Sequence, residues 1–517
     1  MINRGSERVG TKVKSKVRDS VTKRAVPFGL LLLSLAATSL VGQQAPDELT
    51  LAEAISLAKT NNPTFLSTQN DQAAANWGVR EAYAQFLPSV TTSASGTWQE
   101  AGEQRFGTVI FPATTDWLFS SYAVNFGMTI DGNTIFGIPN ARANKRATQA
   151  RVSAAEFNLE SQVALQYMAL LRAMDGVDVA QRQLDRARQN RQIVTARVAT
   201  GAAAGTDGKQ AEVDFGRAEV VLIQARRDLR QSRLMLSEQL GVTLDEDVRF
   251  LSEFELFQPD FDVDELMSMA MDDHPSLRSF RAQEGATRAA ARQSSISQYL
   301  PSLSLSASLR GQAQEARNGD FILGQAQDRA DARIGNCEFS NALHNGIAGG
   351  LPNYSVQDCS GFALDAAGEA AVLGQNRAFP FDFTAIPTTV TAQISLPIFT
   401  GFSRERQISQ ANNLAEDAEH NRRAEELRLR TMVTNTYDNL ISAYEVIQVE
   451  ARNRTLAEEQ LQLQQRRYAL GASDMLVLMD AQTTMTTAEQ GYLIAVYDFH
   501  FNLIALEAAV GQPVRTR

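Results

Sequence analysis

Histidine and cysteine are scarce in this chain, which holds four histidines and two cysteines among 517 residues. No histidine stands at metal-ligand spacing, so the sequence offers no zinc site. Aromatic residues make up 7%, charged residues 21% and hydrophobic residues 44%. This balance excludes both a disordered chain and a helical multi-pass membrane protein. The histidines are His274, His344, His420 and His500.

The sequence also lacks the short motifs of common catalytic and nucleotide-binding sites. It contains no nucleophile elbow and no glycine loop that could hold phosphate. The segment from Gly201 to Gly205 lacks the Lys-Ser/Thr ending and follows a helical segment, so it is interpreted as a turn. A net charge of −10 makes nucleic acid a poor partner. The sequence therefore predicts neither an enzyme, nor a cofactor, nor a metal site.

The N-terminus is basic and then apolar. Residues 1–24 contain eight lysines or arginines, and the apolar run 25–41 follows. This order is typical of a secretory signal peptide, which we place at residues 1–44 with cleavage near 42–45. The alternative is an uncleaved anchor helix, but the run is shorter than the roughly 20 residues that span a bilayer. No cysteine lies near the cleavage region, which excludes a lipid-modified N-terminus.

The two cysteines, Cys337 and Cys359, lie in one polar segment. Because the chain is expected to be exported, they are predicted to form a disulfide. The alternative is a pair of free thiols.

The chain contains an internal duplication. The segment from Gly201 to Gly241 resembles the segment from Gly471 to Gly511 at a constant offset of 270 residues. Upstream, Asn-Pro at 62–63 and Leu-Pro-Ser at 87–89 correspond to His-Pro at 274–275 and Leu-Pro-Ser at 300–302. Each half therefore consists of a helix, a strand pair with a loop, a very long helix, a turn and a returning helix.

Four segments alternate apolar residues with serine or threonine, with a period of two. Such strands have one apolar and one hydroxyl-rich face. A soluble sandwich shows the same alternation, but four strands separated by long helices are too few for its core. An open edge in lipid leaves unpaired backbone groups, so several copies must close one barrel. The smallest barrels have about eight strands, which makes two copies the minimum.

Two proline-free segments, 141–200 and 404–470, predict helices of about 90 and 100 Å. Gly201 and Gly471 stand where these helices must stop, as helix-capping residues at the tips of two hairpins. Returning helices are expected at 207–241 and 477–510, and shorter ones at 50–86 and 264–299. A plain coiled coil is the alternative, which the paired strands make unfavourable.

Together these features resemble the TolC-like outer-membrane efflux family over nearly the whole mature chain. The resemblance lies in the sequence Leu-Thr-Leu-Ala-Glu-Ala at 49–54, the Asn-Pro at 62–63 and the two Leu-Pro-Ser segments. Its most specific parts are Arg-Tyr-Ala-Leu-Gly at 467–471 and Leu-Met-Asp-Ala-Gln at 478–482.

The resemblance implies an α+β membrane protein that forms a homotrimer. Twelve strands, four per chain, would form one β-barrel in the lipid of the outer membrane, continuous with a long periplasmic α-helical barrel. It would act as the channel or exit duct of a tripartite efflux or type I secretion system. Its partners would be a periplasmic adaptor, also called a membrane fusion protein, and an inner-membrane pump of the RND or ABC type. The exported substrate stays open.

In this family the periplasmic constriction is closed by a tyrosine, an arginine and acidic residues. The resemblance assigns the tyrosine to Tyr468 and one acid to Asp480, with Asp207 as its counterpart in the first half. Ser473 stands where a gating arginine can occur, and Val477 where another acid can. A ring of aspartates would attract cations. The alternative role for both is N-terminal helix placement, which favours acids.

The long insert 311–386 is expected to face the exterior, as a plug or as a partly disordered cap. Two rival functions remain: a coiled-coil periplasmic adaptor or scaffold without its own pore, and a surface enzyme with its site in this insert.

The predicted segments are 1–44, signal peptide; 45–86, first segment and helix; 87–139, strands 1–2; 140–242, first hairpin; 243–263, equatorial linker; 264–299, helix; 300–400, strands 3–4 with the insert; 401–511, second hairpin; and 512–517, tail.

Overall fold

A computed structural model describes residues 48–113, 115–245, 247–251 and 254–514. The predicted signal peptide, 1–44, lies outside the described residues. The elements of the first half are β1 (Glu48–Leu49), α1 (Leu51–Asn61), α2 (Pro63–Ala84), β2 (Ser89–Gln99), β3 (Gly102–Phe106), β4 (Val109–Ala113), β5 (Trp117–Ile130), α3 (Gly132–Ala199) and α4 (Gly205–Leu240).

The second half repeats this plan and adds two helices between its strands. Its elements are β6 (Arg249–Phe250), α5 (Val263–Asp273), α6 (Pro275–Ser297), β7 (Ser302–Ala316), α7 (Gly319–Gly346), a 3₁₀ turn (Cys359–Phe362), α8 (Ala366–Gln375), β8 (Thr384–Ser395), α9 (Ser403–Ala469) and α10 (Met475–Val510).

The ends of the hairpin helices confirm the duplication. α3 and α9 end 270 residues apart, and α4 and α10 both begin and end 270 residues apart. Gly201 and Gly471 both have φ +76, the left-handed conformation that glycine adopts without steric cost. The glycines therefore end the long helices at the predicted positions.

Three helix boundaries differ from the sequence prediction. The segments 50–86 and 264–299 are each broken in two, because Asn62 and His274 precede proline and are held in extended conformation, with ψ 116 and 125. α3 begins at Gly132, within the segment assigned to strands 1–2, and contains Pro139. Asp131 accounts for this early start, since its carboxylate accepts a hydrogen bond from the Thr134 amide at 2.8 Å.

The four long strands form one antiparallel sheet in the order β2-β5-β7-β8. Its register aligns the apolar residues on one face, which we call the apolar face. One row across it consists of Val90, Phe126, Ala307 and Val390. The neighbouring row on the opposite, hydroxyl face consists of Thr91, Asn125, Ser308 and Thr389. The predicted alternation is thus continued from strand to strand.

The insert is folded within the described residues, which corrects the expectation of partial disorder. β7 and β8 extend into the segment 311–386 from both sides, and α7 and α8 lie between them. Cys337 and Cys359 are joined by a disulfide with an S–S distance of 2.00 Å. The Asn341 side chain accepts from the Tyr354 hydroxyl at 2.8 Å and donates to the Gln357 carbonyl at 2.9 Å. These contacts hold the segment after α7 against that helix.

The helices pack around α3. Tyr167 on α3 is fully buried, and its hydroxyl lies 2.7 Å from the Leu49 carbonyl and 2.8 Å from the Leu251 carbonyl. Its single proton is shared between these two acceptors, which fixes the paired strands β1 and β6. Among the described residues, α10 alone is long and apolar enough to cross a membrane, judged by length and composition. Half of its most apolar window is buried against the rest of the chain, so this is weak support for a membrane helix.

Candidate functional site: the tips of the helical hairpins

The two hairpins turn with the same backbone hydrogen bonds. In the first, the amide of Ala202 donates to the Arg197 carbonyl at 2.8 Å and that of Gly201 to the Val198 carbonyl at 3.0 Å. In the second, Ala472 and Gly471 donate to Arg467 and Tyr468 at the same two distances. This is the Schellman arrangement, in which a left-handed glycine satisfies the last carbonyls of a helix.

An arginine of the first hairpin binds the tyrosine of the second. The Arg197 guanidinium carbon lies 4.3 Å from the centre of the Tyr468 ring, and Nη1 donates to the Tyr468 backbone carbonyl. Nη2 donates to the Ala202 carbonyl of its own turn at 3.1 Å. Arg467, the equivalent arginine, makes the corresponding bond to Ala472 at 3.4 Å. The repeat therefore supplies two matched arginines, one of which also joins the two tips.

Tyr468 is buried at this contact, with 3% of its surface exposed. It packs in an apolar cluster with Val194, Leu461 and Met475. Burial raises the pKa of the Tyr468 phenol, while the Arg197 charge lowers it and the Asp207 carboxylate raises it by smaller amounts. Tyr468 is therefore a neutral residue that links the tips by its ring and its backbone.

The two predicted aspartates do not occupy equivalent positions, which corrects their pairing. Asp207 is the third residue of α4 and Asp480 the sixth of α10, so the equivalent of Asp207 is Val477. The Asp207 carboxylate accepts from the Ala204 amide at 3.3 Å, a helix-capping contact. Asp480 is exposed on α10. The structure thus brings Asp207 near Tyr468 and leaves Asp480 on the outer surface of its helix.

Arg197 is the residue that the sequence analysis missed. At the position where the family pattern allows a gating arginine, the Ser473 hydroxyl lies 3.3 Å from Gln464 Oε1, within its own hairpin. A signal for Arg197 was present in the duplication, because it is the counterpart of Arg467, next to Tyr468. The arginine that contacts Tyr468 thus comes from the other half of the chain.

Further along the bundle, polar contacts join α3 to α10. Arg186 forms two hydrogen bonds to the Glu489 carboxylate, at 2.6 and 3.1 Å, and Glu489 is 8% exposed. The Tyr497 hydroxyl donates to Asp175 at 2.6 Å, and burial raises the pKa of that phenol. These contacts line an open cavity of about 720 Å³ between α3, α9 and α10.

Several charged side chains of this cavity make contacts within the chain. Arg454 lies 4.3 Å from the centre of the Tyr492 ring, in addition to the pairs already described. Within the described residues, no group of His, Cys, Asp or Glu side chains could hold a metal ion. The arrangement therefore ties helices together.

Three solved structures share this fold. The Campylobacter jejuni CmeC outer membrane channel matches with a TM-score of 0.65 and 12% identity, over 90% of this chain and 87% of that one. The outer membrane protein VceC from Vibrio cholerae gives 0.62 and 16%, over 90% and 97%. The open state of the Neisseria gonorrhoeae MtrE outer membrane channel gives 0.60 and 18%, over 90% and 89%. At these identities the likeness shows the fold alone.

The sequence comparison shows the family. No curated protein matches the chain. The family described as outer membrane efflux protein matches residues 54–242 and 363–512, which is more than half of the chain. That family consists of transport channels and is not an enzyme family. The chain belongs to the outer membrane efflux protein family.

Proposed function

We propose that this chain is the outer-membrane exit duct of a tripartite efflux or type I secretion system, and that it works as a homotrimer. Four strands from each copy form a twelve-stranded barrel in the outer membrane. The hairpins of the three copies form a helical barrel that extends into the periplasm. Substrates pass through both barrels, and the chain itself catalyses no reaction.

The observation that carries this proposal is the four-stranded sheet. Its end strands, β2 and β8, are exposed along their whole length in the single chain. On the apolar face of β8, Val390 and Ile394 are each 75% exposed. A sheet with such a face is compatible with lipid only if its edges are paired. Pairing of β2 in one copy with β8 in the next removes every open edge.

Three copies are what the resemblance to the family implies, and the sheet is compatible with that number. Two copies would give eight strands, the smallest barrel size, whose interior is filled by side chains. Three copies give twelve strands and a wider interior. The hydroxyl face, with its small serine and threonine side chains, suits a water-filled interior.

The hairpin tips form the gate in this proposal. The contact between Arg197 and Tyr468 joins the two hairpins of one chain and holds the tip narrow. Asp207 adds negative charge nearby, and Asp480 is available on the surface of α10 for contact with another chain. A periplasmic adaptor and an inner-membrane RND or ABC pump would dock at these tips and separate the hairpins.

Planar-bilayer recording combined with native mass spectrometry tests the proposal. The mature protein, extracted in detergent, is expected to have the mass of three copies and to give discrete conductance steps. The rival adaptor or scaffold predicts a protein that is soluble without detergent and gives no conductance. A monomeric protein without conductance would refute the exit-duct proposal.

A further inference from the structure

The segment that joins α8 to β8, residues 376–383, lies across the outer end of the sheet, and we call it the strap. The Pro380 carbonyl accepts a hydrogen bond from the Ser120 hydroxyl at 2.8 Å. The Asn376 side chain both donates to and accepts from the backbone of Ala316, at 2.8 and 2.9 Å. The pairing of β7 with β8 ends at Gln312. Beyond it, the Asn376 side chain satisfies the β7 backbone at Ala316 in the way that a neighbouring strand would.

The strap packs on the apolar face of the sheet. Ser120 and Tyr122 alternate along β5 with the same phase as Val124 and Phe126, which belong to that face. Phe383 meets the Tyr122 ring edge to face, with the ring centres 4.9 Å apart. The contact of α7 differs, since its Phe321 packs on Trp117, which has the phase of the hydroxyl face, with the ring centres 6.5 Å apart. The side chains of β5 that the strap contacts, Ser120 and Tyr122, are both on the apolar face. The strap is therefore on the side of the sheet that the proposed barrel turns outward.

A glycine holds this contact in place. A Cβ atom on Gly311 would lie 2.2 Å from Cε1 of Tyr122, so the tyrosine ring lies directly over the β7 backbone. Gly311 pairs with Tyr122 in the register of β5 and β7. The ring thus covers the glycine and presents its face to the strap, an arrangement that glycine and aromatic residues form on twisted sheets.

The height of the strap matches the edge of a bilayer. Tyr122 lies eight residues from Ile130, the end of β5 that continues into α3. At the usual rise and tilt this is about 26 Å along the strand and about 20 Å along the membrane normal. The apolar band of outer-membrane barrels is about 25 Å tall. Measured from Ile130, the strap therefore lies in about the outer 5 Å of that band, next to its boundary.

The composition of the strap suits this boundary. Three of its eight residues are phenylalanines, and Arg377 and Asp382 accompany them. Phe381 is 82% exposed and lies between Pro380 and Phe383, which both contact the sheet. Trp98 belongs to the same face, since it pairs with Leu118, and is 57% exposed. Aromatic side chains at this level form the interfacial girdle of membrane barrels.

We propose that the strap is a membrane-surface element, held on the lipid side of the barrel with its Phe381 inserted between the lipids of the outer leaflet. This inference rests on the proposed barrel, because it uses the outward direction of the apolar face. It makes the strap a membrane anchor within the insert.

A fluorescent label at position 381 tests the proposal. The two native cysteines are joined to each other, so a single introduced cysteine is the only reactive thiol. Phe381→Cys is labelled with bimane in the full trimer and placed in vesicles whose phosphatidylcholine carries bromine either near the headgroup or at the middle of the acyl chains, so that both depths are covered. Val390→Cys, on the apolar face, is the lipid control, and Thr391→Cys, beside it on the hydroxyl face, is the interior control.

We expect brominated lipid to quench the labels at 381 and 390 and iodide in solution to quench the label at 391. If iodide quenches the label at 381 and lipid does not, while the two controls differ as expected, the strap is in water and the inference is wrong. If neither reagent reaches the label at 381, a protein surface covers it, which also overturns the inference. If the controls at 390 and 391 behave alike, the barrel proposal fails, and this inference fails with it.

Discussion

The guanidinium of Arg197, in the first half of the chain, lies over the ring of Tyr468, in the second half, at 4.3 Å. Arg197 and Tyr468 are separated by 271 residues of sequence, yet each belongs to the last turn of a long helix. The two hairpins are therefore tied at their tips, where the proposed gate would act.

Replacing Arg197 by alanine is expected to favour the open channel. Removal of a cation–π contact costs about 1–2 kcal/mol, which shifts an open-to-closed ratio by about five- to thirty-fold per chain. Single-channel recording measures that ratio. Arg467→Ala is the matched control, because Arg467 bonds to its own turn at the equivalent position. Equal effects of the two substitutions would remove the Arg197–Tyr468 contact from the gate.

Replacing Glu489 by alanine is expected to destabilise the bundle. It leaves Arg186, whose side chain is 21% exposed, without its carboxylate partner. Breaking a largely buried ion pair costs about 3 kcal/mol, whereas an exposed pair contributes about 0–1 kcal/mol. Asp228→Ala is the control, since its pair with Arg227 is exposed. The melting temperature in detergent is the measurement, and a similar small change in both variants would contradict the prediction.

Gly241 is expected to tolerate no side chain. Its φ is +72, and a Cβ would lie 2.3 Å from the Asn61 carbonyl oxygen. Gly241→Ala should cost more than about 2 kcal/mol, because backbone strain and the clash add. Gly216→Ala, in the open middle of α4, should instead stabilise the helix by about 0.5–1 kcal/mol. Thermal unfolding followed by circular dichroism compares them, and the prediction fails if Gly241→Ala melts like the native protein.

Acid is expected to weaken the contacts of His274 at the break between α5 and α6. Burial lowers the pKa of this histidine below its ordinary value of 6.5. Between the lowered pKa and 6.5 the unfolded chain therefore binds more protons than the folded one, and stability rises with pH in that window. Protonation also removes the lone pair of Nδ1, which accepts from the Ser276 amide at 3.1 Å. His274→Asn, which copies Asn62, should reduce the pH dependence of the melting temperature below pH 6.5. The same slope in the variant would argue against this origin.

The repeat and the helix ends could be predicted because they depend on local chemistry. Glycine at 201 and 471 is the residue that a left-handed helix cap requires, and the apolar and hydroxyl residues of the strands specify two faces. The breaks at Asn62 and His274 were missed because the helical pattern continues beyond each proline. Proline is tolerated in the first turn of a helix, so it ended one helix and began the next.

The contacts of the insert and of the gate could not be predicted from local sequence. The position of the strap depends on the contact of Pro380 with Ser120, which is 260 residues away in sequence. The link between the hairpin tips depends on the contact of Arg197 with Tyr468. Such pairs become visible only when the sheet register and the helix packing are known. The pairing of Asp207 with Asp480 went wrong for a related reason, since similar residue types suggested an equivalence that the positions of the helix ends exclude.

Asn62 and His274 occupy corresponding positions in the two halves, at the breaks between α1 and α2 and between α5 and α6. The Asn62 amide donates to the Gln239 carbonyl at 2.8 Å, and the His274 ring bonds to the Ala508 carbonyl at 3.0 Å. In the proposed trimer the Asn62 and His274 contacts would alternate around the helical barrel. At neutral pH the six contacts are similar, so the barrel approaches sixfold symmetry there. Of these contacts, only those of His274 can take up a proton. Acidification would therefore weaken the three His274 contacts and leave the three Asn62 contacts unchanged. The symmetry of the barrel at this level would fall to threefold.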